Sequence, residues 1–402
     1  MFETDRVQKA ICFLSSMLIS LAFLQAPGTS DMQIWEQWIK TVNSYGLVDG
    51  FVAINDVQPP LCSVFLYTVN SFAQAAGFPV WYAIKVSVTL SLFISTIMVL
   101  VWSRSFVIAS LFQIMLAINV GFGYLDIYYT PFLLASLYAL EKGKFSLSFL
   151  IYTIGALIKS QPLLLAPFFI AYIYYMGPVN SISGKIKHVI RAILPTFVLI
   201  VIPLIFIYNK ALIQFILNAQ QGHSISSKAF NVGWILTYMI NSQHIYGNYL
   251  IGWGINNQLP QIPEFSIPLK LMFFAAYGFT LYKFCAEKEK KFDSWLKYLA
   301  LAFFSYFILN SGVHENHLFI LMMLSVPLYH KKLISIQELA IIGIYGNLNH
   351  VLYYGIDGKG LPFERGFFPW IDISIIFTIV FLAFYLIFFI KVNGIKCIRI
   401  NN

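Results

Sequence analysis

Charge is what this sequence has least of. Asp, Glu, Lys and Arg make up only 11% of its residues and hydrophobic residues 59%, against roughly 25% and 45–50% in soluble globular domains. A soluble domain is excluded on that balance, and an all-α polytopic membrane protein is expected. Cysteine is equally scarce: the four are Cys12, Cys62, Cys285 and Cys397. Only Cys62 falls in an expected outer loop, so no structural disulfide is expected, and no metal-ligand spacing exists. The weak ten-residue alternation of a transmembrane β-barrel is missing. So are internal repeats, low-complexity tracts and a small-x-small cleavage site after the first apolar run, where Ala26, Pro27 and Gly28 stand; no removable signal peptide is expected. The net charge of +9 would suit a nucleic-acid partner if it were concentrated. It lies instead in short clusters between apolar runs, the pattern of loops facing anionic lipid.

What is present in abundance is apolar sequence of membrane length. Spans are expected over 10–26, 81–102, 105–121, 126–140, 145–158, 161–177, 189–208, 267–284, 294–310, 316–330, 333–352 and 370–390, about twelve in all. The run at 60–76 is ambiguous, because it is short, follows Pro59 and Pro60, and carries Ser63, Asn70, Ser71 and Gln74. Treating it as an interfacial amphipathic helix places about eighteen of the 26 Lys and Arg residues on one side, as the positive-inside rule requires. Both termini are then cytoplasmic, and 27–80 and 209–266 are long outer loops of a single membrane domain.

The first of those loops organises the rest. Ser30 followed by Gln33 has the spacing of a capping box, with Asp31 in the first turn and Gly46 as a stop. Asp31, Trp35 and Trp38 recur at i, i+4 and i+7, so a carboxylate and two indoles share one helical face. Tryptophan favours membrane–water boundaries, and the segment is expected to lie along the bilayer surface. A second carboxylate, Asp56, precedes the Pro59–Pro60 pair. The loop 209–266 mixes amides with aromatics, among them Trp234 and Tyr238, the groups that commonly hold a neutral sugar. The expected topology sets Asp31, Asp56, Asp126, Lys159, the SGVHENH segment at 311–317 and Arg365 at one outer level. Carboxylates, imidazoles and a few cations at a lipid surface suit transfer from a lipid phosphate. The acceptor hydroxyl needs a base, and the departing phosphate needs cations or hydrogen-bond donors.

These residues resemble the GT-C glycosyltransferases. The acid after the first span with its two tryptophans, Asp56 ahead of Pro59–Pro60, and VHENH at 313–317 are similar to the endoplasmic-reticulum glucosyltransferases that extend lipid-linked oligosaccharide. Those carry D-Y-P-P and V-H-E-K elements. GYLD at 123–126 and KSQPLLLAP at 159–167 resemble the G-Q-x-D and K-x-Q-x-x-x-x-x-P elements of bacterial members. Gln58, Asn316 and Tyr124 depart from the tyrosine, lysine and glutamine of those patterns. The resemblance implies a GT-C fold and an inverting hexosyltransferase that takes glucose or mannose from a polyprenyl-phosphate donor to a glycan or lipid-linked acceptor on the non-cytoplasmic face. It implies Asp31 as general base and His314 beside the donor phosphate, with Glu315 and His317 as its neighbours. Lys159 and Arg365 are the candidate phosphate cations. Asp56, Trp35, Asp126, Glu315, Trp234 and Tyr238 are candidate substrate contacts. No cofactor is expected, the lipid-linked sugar being a substrate; Asp31 and Asp56 holding a divalent cation together is the minority reading. Compact loops favour a bacterial inner membrane with undecaprenyl phosphate as carrier.

Each residue also has a plainer reading. Asp31 favours a helix start through the macrodipole, Lys159 can snorkel from a span end, Asp126 can cap its helix and Arg365 can anchor a loop. Two other functions compete: an O-antigen-type polysaccharide polymerase or ligase, which would grip a lipid pyrophosphate with outer arginines, and a lipid-linked glycan flippase, which would show repeated halves and mid-span charges.

Overall fold

A computed structural model describes residues 2–54, 58–178, 181–209, 211–212, 215, 224–227, 229–244, 261–354, 366–368 and 371–395. The chain is nearly all helical, and it divides into two compact units. The first comprises residues 1–221 and 354–360, the second 222–353 and 361–402.

In the first unit the helices are α1 (Phe2–Ala22), α2 (Asp31–Tyr45), α3 (Leu47–Ile54), α4 (Pro60–Ala76), α5 (Val80–Ser103), α6 (Phe106–Leu116), α7 (Ile118–Phe122), α8 (Asp126–Glu141), α9 (Phe145–Ile158), α10 (Ala166–Met176), α11 (Ile182–Thr196) and α12 (Ile202–Tyr208). A 3₁₀ turn at Gln161–Leu165 leads into α10, and a π turn at Phe197–Val201 joins α11 to α12. In the second unit they are α13 (Val232–His244), α14 (Pro263–Ala286), α15 (Phe292–Leu309), α16 (Phe319–His330), α17 (Ile336–Tyr354) and α18 (Ile373–Asn393).

Among the described residues, five helical segments are long and apolar enough to cross a membrane: Val80–Ser103, Ile182–Tyr208, Pro263–Ala286, Phe292–Leu309 and Ser374–Asn393. Several bear large apolar side chains outward, such as Leu90, Ile94, Ile97 and Val101 on α5. Water would penalise such a face and lipid would not. The protein is therefore read as an integral membrane protein. Helices stand at or near each of the spans expected from sequence, with differences at their ends. α11 begins at Ile182, ahead of the expected 189, because Ser181 caps it, accepting from Gly184 N at 3.1 Å.

The first unit is built around α8 and α9, an antiparallel pair with α5 packed against α8. Their connection is tight because Gly143 takes a left-handed conformation, φ +71°, that costs a residue with a Cβ energy. α4 packs on α2, α5 and α9 through Cys62, Ser63, Leu66, Val69, Asn70 and Ala73. Its polar residues Ser63 and Asn70 thus belong to the buried stripe, while Tyr67 and Phe72 are exposed.

Two expectations for α2 are corrected. Ser30 makes no side-chain capping bond, because its backbone is already helical (φ −56°, ψ −23°). A capping side chain reaches the first free amides from an extended backbone. Here the amides of Met32 and Gln33 are taken by the carbonyls of Thr29 and Ser30, each at 3.1 Å. Nor do the indoles face outward. Trp35 and Trp38 are 6% and 8% exposed and pack edge to face at 4.9 Å. With Met32, Ile39 and Val42 they form the stripe that fixes α2 to its own unit. Gly46 does end the helix as expected, at φ 83° with its N–H on Val42 O.

The second unit surrounds α15, which is buried along nearly its whole length and packs against α14, α16, α18 and α13. A two-residue parallel ladder pairs β1 (Ser226–Ser227) with β2 (Val313–His314). A short antiparallel pair, β3 (Gly366–Phe368) and β4 (Ile371–Asp372), leads into α18. α13 lies inside the interval 209–266, expected as loop.

Candidate functional site

Asp31 opens α2 and is half-exposed. The helical face it shares with Trp35 and Trp38 runs from buried at the indoles to accessible at the carboxylate. What holds this segment is a residue that carried no assigned role from sequence. Lys85, in the second turn of α5, is fully buried, and its Nζ donates to Ala26 O and to Gly121 O, the latter at 2.8 Å. A third strut is Thr29 N–H, donated to Phe122 O at 3.1 Å. The Asp31 segment is thereby tied to the end of α7 and to Gly123, whose positive φ of 72° lets the chain turn under the Met32 side chain. The signal for Lys85 was legible in principle. A lysine one turn inside an apolar run must either snorkel to the surface or find buried acceptors, or its charge costs several kcal/mol.

Removing that ammonium should be felt at a distance. Lys85→Met strands two buried carbonyls and is expected to cost about 1–3 kcal/mol. It should lower the thermal midpoint in detergent and raise amide hydrogen exchange at Thr29 and Asp31. Unchanged exchange there would show that the segment is held by other means.

Three residues beyond Gly123, Asp126 heads α8, and Lys159 follows the last turn of α9. The structure brings these two together: Lys159 Nζ lies 2.5 Å from Asp126 Oδ2, with the residues 5% and 1% exposed. Asp126 is also hydrogen-bonded to Tyr129. Asp126 is therefore more than a helix cap, and Lys159 does not snorkel: the ammonium is turned inward and neutralised in place.

In the second unit VHENH folds as β2 followed by a 3₁₀ turn, Glu315–Leu318. Gly312 N–H donates to Ile225 O at 2.8 Å and sets the β1–β2 register. The two imidazoles cap each other's backbone: the His314 side chain accepts from the His317 amide, and His317 Nδ1 accepts from the His314 amide at 3.3 Å. Tyr306 Oη stands 3.0 Å from His317 Nδ1, and the rings stack at 24°. With the His314 backbone N–H directed at His317 Nδ1, the proton of a neutral His317 ring sits on Nε2. His314 is exposed, His317 half-buried, and Glu315 buried.

Trp234 is placed in the interior of the second unit, 4% exposed, donating from Nε1 to Ser374 Oγ at 2.9 Å. It packs α13 against α18 and offers no open face to a sugar. Tyr238 lies on α13, with its side chain outside the described residues. Asp56 and Arg365 lie outside them as well. Among the described residues, no three His, Cys, Asp or Glu side chains gather as a metal-holding group.

No protein-family model matches the chain, and no curated protein matches it.

Proposed function

We propose that this chain is an integral-membrane inverting glycosyltransferase of the GT-C type. It moves glucose or mannose from a polyprenyl phosphate to a glycan or lipid-linked acceptor. The observation that carries the reading is Asp31: a half-exposed carboxylate at the head of a helix whose next two turns are locked by buried indoles. Its approach segment is braced by Lys85 and Thr29. A general base works best when its position is fixed before the substrate arrives. In the reaction the acceptor oxygen bonds to the anomeric carbon from the face opposite the leaving group. Asp31 takes the hydroxyl proton as the bond from that carbon to the phosphate oxygen breaks, and polyprenyl phosphate departs with the electron pair. His314 and His317, in the second unit, keep the donor-phosphate role that the resemblance implies, as hydrogen-bond donors rather than as fixed cations.

In this reading the helices make about twelve spans, both termini are cytoplasmic, and Asp31 faces outward from a bacterial inner membrane. The carrier is undecaprenyl phosphate. The test is transfer by the purified chain in detergent, supplied with synthetic polyprenyl-phosphate glucose and mannose and a panel of lipid-linked acceptors. Turnover with one donor, with inversion at the anomeric carbon and no response to chelator, is expected. Retention of configuration, or turnover only with a nucleotide sugar, would overturn the mechanism.

A further inference from the structure

The closed end of the α8–α9 pair holds a second feature, about 21 Å along α9 from Lys159 at 1.5 Å per residue. The turn and the middle of α11 flank an open cavity of about 380 Å³, lined by the exposed cations Lys144 and Arg191 and by Phe145, Ser146, His188 and Ala192 among others. Ser146 Oγ donates to Arg191 O at 3.3 Å and ties the two helices across it. The His188 ring stands edge-on to Phe145 at 5.1 Å. Its Nε2 is closed off from solvent and has no hydrogen-bond partner.

The charges here are of one sign. Ion pairs among the described residues include Lys159–Asp126, Lys291–Glu289, Lys331–Asp293 and Lys391–Glu338. Lys144 and Arg191 are in none of them. Glu141, the nearest acid along the chain, instead accepts from Trp102 Nε1 at 2.6 Å. The first turn of α9 adds backbone amides that have no carbonyl partner within the helix. Its preceding residue, Lys144, makes no capping bond that would occupy them.

We propose that this cavity binds a phosphate group, as a mono- or diester. Arg191 supplies a planar fork suited to two phosphate oxygens and Lys144 a point charge at the rim, with the His188 ring forming part of the wall. The volume falls within the range of small-ligand sites. Leu147 in the lining is exposed, as are Ile190 and Leu194 on α11, and α11 is the first part of a segment apolar enough to cross a membrane, Ile182–Tyr208. An acyl chain attached to the phosphate has a surface to lie on, so an anionic lipid headgroup fits the site as well as a free phosphate does.

Native mass spectrometry of the purified full chain, titrated with dioleoyl phosphatidylglycerol and with dioleoyl phosphatidylcholine, tests this. Calorimetry with inorganic phosphate forms the second arm. One phosphatidylglycerol is expected to be retained in preference to phosphatidylcholine. Its Kd should rise about tenfold or more in Lys144→Gln/Arg191→Gln, the loss of charge-assisted hydrogen bonds. Arg191→Lys, which keeps the charge but loses the fork, should lose part of the affinity, and Lys288→Gln/Lys291→Gln, exposed cations elsewhere, none of it. Inorganic phosphate binding lost in the same double variant would support the site and identify a free phosphate as its occupant. Equal retention of both lipids, unchanged affinity for phosphate and lipid in the Lys144/Arg191 variant, or an equal loss in the Lys288/Lys291 variant would overturn the proposal.

Discussion

Asp31→Asn is expected to reduce transfer by about 10²–10⁴-fold, the span of a general base's contribution, while leaving the protein folded. The substitution is close to isosteric and falls at a half-exposed first helical residue. Its structural cost is confined to the carboxylate's attraction to the helix dipole, about 0.3–1 kcal/mol, together with the local contact the side chain makes. The indole stripe that fixes α2 is untouched. A carboxylate whose only task is to start the helix would behave in the opposite way: the midpoint would shift slightly and turnover would stay whole. Measuring the rate under saturating donor together with the thermal midpoint separates the two. Full turnover in the variant would remove Asp31 from the chemistry and direct attention to Asp56.

Lys159→Met, with Asp126 left in place, should be the most damaging single change to the first unit. The pair is buried and in contact at 2.5 Å. Loss of one partner leaves a lone charge away from water, which costs about 3–5 kcal/mol. Adding Asp126→Asn should return most of that loss, because the remaining amide carries no charge and can still accept from Tyr129. The double variant also decides between two roles for Lys159. If the lysine only balances Asp126, stability and transfer recover together. If it meets the donor phosphate, the double variant is stable but keeps a raised KM for the lipid-linked sugar. The observed geometry favours the first outcome, since the ammonium is already engaged and shut away from solvent.

That pair also shows how far the sequence could be read. Helix positions were legible almost throughout, because membrane-length apolar runs separated by charged clusters leave few alternatives. Over 145–158 the expected and observed helices coincide. The side a residue faces was harder. The recurrence of Asp31, Trp35 and Trp38 correctly predicted a shared face, yet the same recurrence serves an indole buried in protein and one resting in headgroups. Only the packing of α4 and α3 against α2 distinguishes them. Lys159 and Asp126 looked independent because 33 residues separate them. They meet because the arms Asp126–Gly143 and Gly143–Lys159 are nearly equal, and a tight turn between antiparallel helices brings their far ends level. Trp234 was read as part of a sugar-facing loop, since polar neighbours concealed the short helix that carries it inward. The mutual capping of His314 and His317 depends on backbone amides, which leave no trace in residue identity.

The bracing of the Asp31 segment has a consequence for biosynthesis. α1 and α2 leave the ribosome early, but the carbonyl that receives Thr29 belongs to Phe122, and one of the two that receive Lys85 belongs to Gly121. Until those residues have been made, the stretch from Ala26 to Asp31 has no final seat. At 5–20 residues per second the wait is roughly 5–20 s. During it, the Asp31 carboxylate is presented without the brace that fixes its approach segment. A nascent chain halted before Gly121 would therefore contain every residue of α2 and still lack its mounting, so the base is set in place by a later part of the message than the one that encodes it.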